Sequence, residues 1–212
     1  MTRFVRVARG DHVAGIAARH GFQDWQKIWD HPENEALRRR RKSPHVLFEG
    51  DTIALPDLGA KEVEVPTGEV STFRVRLAEV PLKLVLKDRS GAAVASRDFE
   101  LSVDGATKTG TTTGEGLVDV TIPATARHAE LRLQLDGGRV LRVPIAIGHL
   151  DPVDEAPGVK QRLRNLGYLR QRAPDDDDVR EALCAFQADR GLPVTGEADE
   201  ETRDRMRLDH GS

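Results

Sequence analysis

Two glutamates two positions apart, four consecutive aspartates, a single cysteine and seven scattered histidines are the groups in this 212-residue chain that could do chemistry. Glu33 and Glu35, in His-Pro-Glu-Asn-Glu, could be imagined as an acid–base pair for cleaving a glycosidic bond. Such a pair must flank a cleft at a set separation, and two carboxylates at i, i+2 on one loop do not supply that. Asp175 to Asp178 cluster the oxygens that hard cations take, but without the spacing of a calcium loop. Acidic residues just ahead of a helix starting near Val179 instead cap it and complement its dipole. The histidines, at positions 12, 20, 31, 45, 128, 149 and 210, lack metal-ligand spacing. No metal or other cofactor is therefore expected. Cys184 stands at a helix-periodic position beside Leu183 and Phe186, as a small buried thiol does, and one cysteine forms no intrachain disulfide. Nucleophile-elbow, zinc-protease and phosphate-loop motifs are absent from the sequence. No catalytic residue is assigned, and the chain reads as a binding protein, not an enzyme.

Bulk properties narrow the partners. Hydrophobic residues make up 38% and charged residues 32%, with only 4% aromatic, so any cores are modest. A net charge of -3 and a pI near 6.2 argue against a nucleic-acid partner, which calls for a basic face. The one basic run, Arg38 to Lys42, reads as a solvated helix end or loop. No 18-residue apolar stretch exists, so membrane insertion is not expected. The start, MTRFVRVARGD, lacks the apolar core of a secretory signal. The expectation is synthesis in the cytoplasm, with any passage to the periplasm or a target cell left to a machine that reads no cleavable signal.

Residues 1–57 carry strand, helix, helix, strand. RFVRVA alternates as a half-buried strand does. In GDHVAGIAARHG, Val13, Ile16 and Ala17 share a helical face, Asp11 is placed to cap it and Gly21 to end it. DWQKIWD gives a second helix capped by Asp24, a polar loop follows from Arg38 to Ser43, and TIALP closes as a strand. The pairing of GDHVAGIA with EGDTIALP resembles the LysM module. Asn34 is the candidate equivalent of the lone Asn that this family has after its second helix. The longer stretch DHPENEALRRRRKSPHV resembles the LysM variant of bacterial type VI secretion and phage-like contractile machines. The resemblance implies a glycan groove between the turn after the first strand and the loop before the last. The matching positions here are Asp11, His12 and Val13 on one side, and Val46, Leu47, Phe48 and Glu49 on the other. Leu47 and Phe48 read equally well as core.

Residues 61–148 change period. TFRVRL, LKLVLK, LVDVTIP, AELRLQL and RVLRVPIAI alternate, with turns at Asp104-Gly105, Gly114-Glu-Gly116 and Asp136-Gly-Gly138. About seven strands at that spacing make a β-sandwich. Pro144 suggests an edge strand. DGATKTGTTTGEGLVDVTIP loosely resembles immunoglobulin-like and carboxypeptidase-regulatory-like modules, which implies a fold and no ligand. HLDPVDEA, residues 149–156, reads as a polar linker.

Residues 157–208 read as three helices. Val159, Leu163 and Leu166 line the first; Val179, Ala182, Leu183 and Phe186 the second; Thr202 and Met206 the third, which begins near Ala198. VKQRLRNLGYL followed by VREALCAFQADRGLPVTGEADEETRDRM resembles the peptidoglycan-binding type 1 domain. Its Leu-Gly-Tyr, Phe-Gln, Gly-Leu, Thr-Gly and final Thr stand here at Leu166 to Tyr168, Phe186-Gln187, Gly191-Leu192, Thr195-Gly196 and Thr202. The family's glycine-bearing loop between the first helices is replaced by APDDDDV. Tyr168 and Gln187 are the candidate glycan contacts, while Phe186 reads as core.

The expected fold class is thus multidomain α+β: a small βααβ module, an all-β sandwich and a three-helix module. The expected function is non-catalytic binding of peptidoglycan or a chito-oligosaccharide. The two terminal modules would act bivalently, so avidity follows from effective concentration. Service to a secretion or contractile injection system is the expected setting. Docking to a spike protein or effector without glycan binding is the alternative, and accessory service to a cell-wall hydrolase a second.

Overall fold

The structure, a computed structural model, describes residues 2–59, 67–68, 70, 72, 78–88 and 90–211. It is α+β, with helical modules at both ends and a body of antiparallel sheets between them. Among the described residues no helix is long and apolar enough to cross a membrane.

In the N-terminal module β1 (Arg3–Arg6) pairs antiparallel with β2 (Thr52–Leu55), Val5 facing Ile53. Packed on them are α1 (Val13–Arg19), α2 (Gln26–Trp29) and, after a 3-10 turn at Pro32–Asn34, α3 (Glu35–Arg41). Ile16, Ile28 and Ile53 are fully buried at the centre. The α1 cap is His12, not Asp11: its Nδ1 accepts the Gly15 amide at 3.2 Å. Asp11 closes the turn before it, taking the Ala8 amide at 3.0 Å. Gly21, at φ +80°, ends α1 as expected, with the Phe22 amide donating to Ala17 O. Asn34 is 1% exposed, and its Nδ2 donates to Ile28 O and Ala54 O while its Oδ1 accepts the Ala54 amide. One side chain thereby ties α2 to β2. The basic run is not the loop expected from Arg38 onward but the body of α3. Its Arg41 side chain is 1% exposed and grips Asp51 with two bonds, at 2.7 and 2.9 Å.

The sandwich has β3 (Glu79–Val85) paired with β6 (Leu117–Pro123) in one sheet. Facing it is a sheet of β4 (Asp98–Val103), β5 (Ala106–Thr111), β7 (His128–Gln134) and β8 (Val140–Ala146), in the order β5-β4-β7-β8. Leu101, Leu131 and Leu133 of the larger sheet meet Val118 and Ile122 of β6. Asp104 and Gly105 both have positive φ, giving β4 and β5 the two-residue hairpin that Asp-Gly favours. Pro144 lies on β8, at the sheet's edge, where a missing amide costs no ladder bond. Of the expected strand TFRVRL, residues 73–77 lie outside the described residues.

The C-terminal module is α4 (Ala156–Asn165), α5 (Asp176–Asp189) and α6 (Glu200–His210) around Leu163, Phe186 and Met206. Gly167 and Gly191 end α4 and α5 at positive φ. Asp175 and Asp178 form a reciprocal capping box on α5. Of residues 149–156, expected as a linker, Ala156 opens α4 and the rest are docked against it. Val153 enters the helical core at 2% exposure, and Arg162, itself 1% exposed, donates to Asp151 O at 2.7 Å. A β-carbon at Gly158 would stand 1.9 Å from Pro152 O, so only glycine allows this approach.

Candidate glycan-binding surfaces

The N-terminal set is brought together, but mostly out of reach of solvent. Asp11 is 4% exposed, and its carboxylate is taken by Arg19 at 2.7 Å and by Arg127 of the sandwich at 2.8 Å. His12 is 8% exposed; burial holds its pKa at about 4, with the neighbouring His45 acting in the same direction. Val13, Val46 and Leu47 are buried, and Leu47 is a core residue. Phe48 is half-buried with the Arg41 guanidinium 5.3 Å from its ring centre, and Glu49 is exposed.

For Asp11 and His12 the reason is a neighbour that no local pattern reveals, while Val13 and Leu47 pack in the module's own core. Gly148 and Gly10 meet backbone to backbone, so closely that a β-carbon at Gly148 would lie 2.4 Å from Gly10 O. His149 packs over Gly10, and Glu155 binds Arg41 at 3.1 Å. The turn expected to face a sugar faces the rest of this chain. Asp11, His12, Val13, Val46 and Leu47 are corrected accordingly, from groove contacts to seam and core residues.

A different concavity opens on this module, about 540 Å³ in volume and lined by Phe22, Lys27, Pro32, Pro56 and Leu58 among others. None of the expected contacts lines it.

In the C-terminal module Gln187 is fully buried. Its Oε1 accepts the amides of Thr195 and Gly196 at 3.0 and 2.9 Å. Its Nε2 lies within bonding distance of Thr195 Oγ1, Glu197 O and Thr202 Oγ1. The amide is saturated from both ends, so Gln187 is a structural hub and not a sugar contact. The same network explains why Phe-Gln, Thr-Gly and the later Thr occur together: they join α5, the following loop and α6.

Tyr168 is half-buried, edge-on to Phe186 with ring centres 5.4 Å apart, and donates from its hydroxyl to Asp189 at 2.9 Å. Burial of the ring raises its pKa, and the bond to Asp189 adds to the rise. Arg190 covers the Phe186 ring at 5.5 Å and pairs with Asp209, which Arg205 also meets at 3.0 Å. Tyr168, Asp189, Arg190 and Asp209 therefore form a polar strip laid over one buried aromatic. Such a strip offers donors, acceptors and part of a ring face, the groups that orient a sugar. Asp189 and Arg190 were not singled out by sequence; their signal is adjacency to Phe186-Gln187 at the end of α5. The acidic loop is spent on its own helix, since Gln171 Nε2 also donates to Asp178. Among the described residues no group of three or more His, Cys, Asp or Glu side chains could hold a metal ion.

No curated protein and no solved structure matches the chain. Residues 156–206 match the family model described as "Putative peptidoglycan binding domain", a match that takes in α4, α5 and most of α6 and supports peptidoglycan as a partner.

Proposed function

We propose that this protein binds peptidoglycan without cleaving it. The strip at Tyr168, Asp189, Arg190 and Asp209 would meet N-acetylglucosamine-containing glycan. The observation that carries the reading is the family match over residues 156–206, within which this strip lies, apart from Asp209 at its far end. Burial of the N-terminal contacts argues against two glycan sites and for one, with the N-terminal module serving as a dock for the other two. The proposed setting is a secretion or contractile injection system that carries the chain to a cell wall.

The test is co-sedimentation of the full chain with insoluble peptidoglycan, beside Tyr168→Ala. Retention of the parent and its loss in the variant supports the reading; equal retention moves the site away from Tyr168. If the parent stays in the supernatant, glycan binding is wrong. The helical module is then a protein-docking surface for a spike or effector.

A further inference from the structure

The contact between the N-terminal module and the sandwich is unusually rich in groups that are, or can become, positive. Arg127 crosses it, donating to Asp11 at 2.8 Å and to Arg9 O at 3.1 Å. His149 lies against Gly10, 2.8 Å from where a β-carbon would stand, and its ring centre is 6.0 Å from that of His128. His12 sits below Gly148, and Ala124 O faces Gly15, 3.0 Å from its β-carbon position. Three glycines thus let two modules meet almost backbone to backbone.

Around His12 stand Asp11 from the preceding turn, Arg19 from its own helix, His45 from the loop before β2 and Arg127 from the sandwich. Around His149 stand Arg9, His128, Arg127 and Asp151. The two carboxylates among these face three arginines, and Asp11 is already bonded to two of them. An added proton on either ring sits beside two arginines and one carboxylate. For His12 it also breaks a bond, because Nδ1 is the atom that receives the Gly15 amide.

We propose that the seam is an acid-opened joint: protonation of His12 and His149 beside Arg9, Arg19 and Arg127 separates the N-terminal module from the sandwich while each module stays folded. Both imidazoles are held below their usual range, chiefly by burial, His12 at about 4. A group depressed in the closed form favours that form above its free value of 6.5. That contribution is lost as pH falls from there towards the closed-form value. The joint is therefore shut near neutrality and opens through the mildly acidic range.

The experiment follows the full chain from about pH 7.5 to about pH 4.5. Small-angle scattering reads the radius of gyration, and far-UV circular dichroism reads the helices. The expected result is a radius that grows by about a tenth on acidification while the helical signal holds. Variants are His12→Asn, which keeps a capping acceptor but does not titrate, His149→Gln, and the two combined. Each single variant should move the opening to lower pH, and the double variant should stay closed. Three results would overturn the proposal: a constant radius in the parent chain, growth that coincides with loss of helix, or variants that open at the parent's pH. If the double variant loses its neutral-pH dichroism, the two single variants decide by the same criterion.

Discussion

Arg127 and Asp11, 116 positions apart in the chain, meet at 2.8 Å with Asp11 almost wholly buried and Arg127 substantially exposed. The asymmetry sets the outcome of truncating each side. Arg127→Ala leaves Asp11 still bonded to Arg19 and the Ala8 amide, and should cost about 1 kcal/mol after allowing for solvent screening. Asp11→Ala removes the acceptor shared by two partly exposed guanidinium groups and the Ala8 amide, and should cost about 2 kcal/mol. Urea unfolding of the two variants checks the order.

Gln187→Ala should be the most damaging polar truncation in the C-terminal module. It leaves the amides of Thr195 and Gly196 without their shared acceptor in a buried site. A loss of about 2–4 kcal/mol is expected, read from unfolding of the full chain. Gln187→Glu should not rescue it, since a carboxylate cannot donate to Glu197 O or the two hydroxyls.

Gly158→Ala tests the docked segment. A methyl 1.9 Å from Pro152 O cannot be absorbed by a rotamer change, because the obstacle is backbone. About 3 kcal/mol of destabilisation is expected. Limited proteolysis should cut the variant within residues 149–155 and spare the parent.

Tyr168→Phe separates ring from hydroxyl on the proposed glycan surface. The ring still packs on Phe186, while the bond to Asp189 is gone. Sedimentation with peptidoglycan should fall partway for Phe and fully for Ala, with the Phe variant unfolding near the parent's denaturant midpoint.

Acid should also weaken the C-terminal module through His210, whose pKa burial and the nearby Arg162 lower to about 4. Asn165 Nδ2 lies 2.9 Å from His210 Nε2, a contact suited to the neutral ring. The unfolded chain binds the proton first, so stability is full above pH 6.5 and falls between there and about 4. The loss should be about 1–2 kcal/mol, less than the full shift implies because the ring is not wholly enclosed. His210→Gln should flatten this part of the profile.

Local pattern made much of the architecture legible. Gly21, Gly167 and Gly191 mark helix ends because a positive φ there is a property of the residue itself. Asp104-Gly105 marks a hairpin for the same reason, and the alternation of AELRLQL shows which side of β7 is inward. Partnerships made at long range were not legible. The basic run hides a buried arginine because Arg41's partners are Asp51 and Glu155, the latter 114 positions away. HLDPVDEA looks like a linker because Leu150 and Val153, set among polar residues and a proline, are too few to show a period. The N-terminal contacts misled for a related reason. A turn with polar ends and an apolar flank looks the same whether it faces sugar or a neighbouring module, and only Gly148 and Arg127 decide which. Gln187 misled because a saturated amide and an exposed one share a letter.

Glu155 lies one residue before α4 and is clasped by Arg41, while Asp154 beside it is held by Arg207 of α6 at 2.7 Å. Two adjacent carboxylates fasten one short piece of backbone to opposite ends of the sequence. A load placed on the C-terminal helices would have two routes backwards: along the backbone through β8, or directly from Glu155 into α3. The second route bypasses the β-sandwich, so the two terminal modules are joined to each other directly and not only through the sheets.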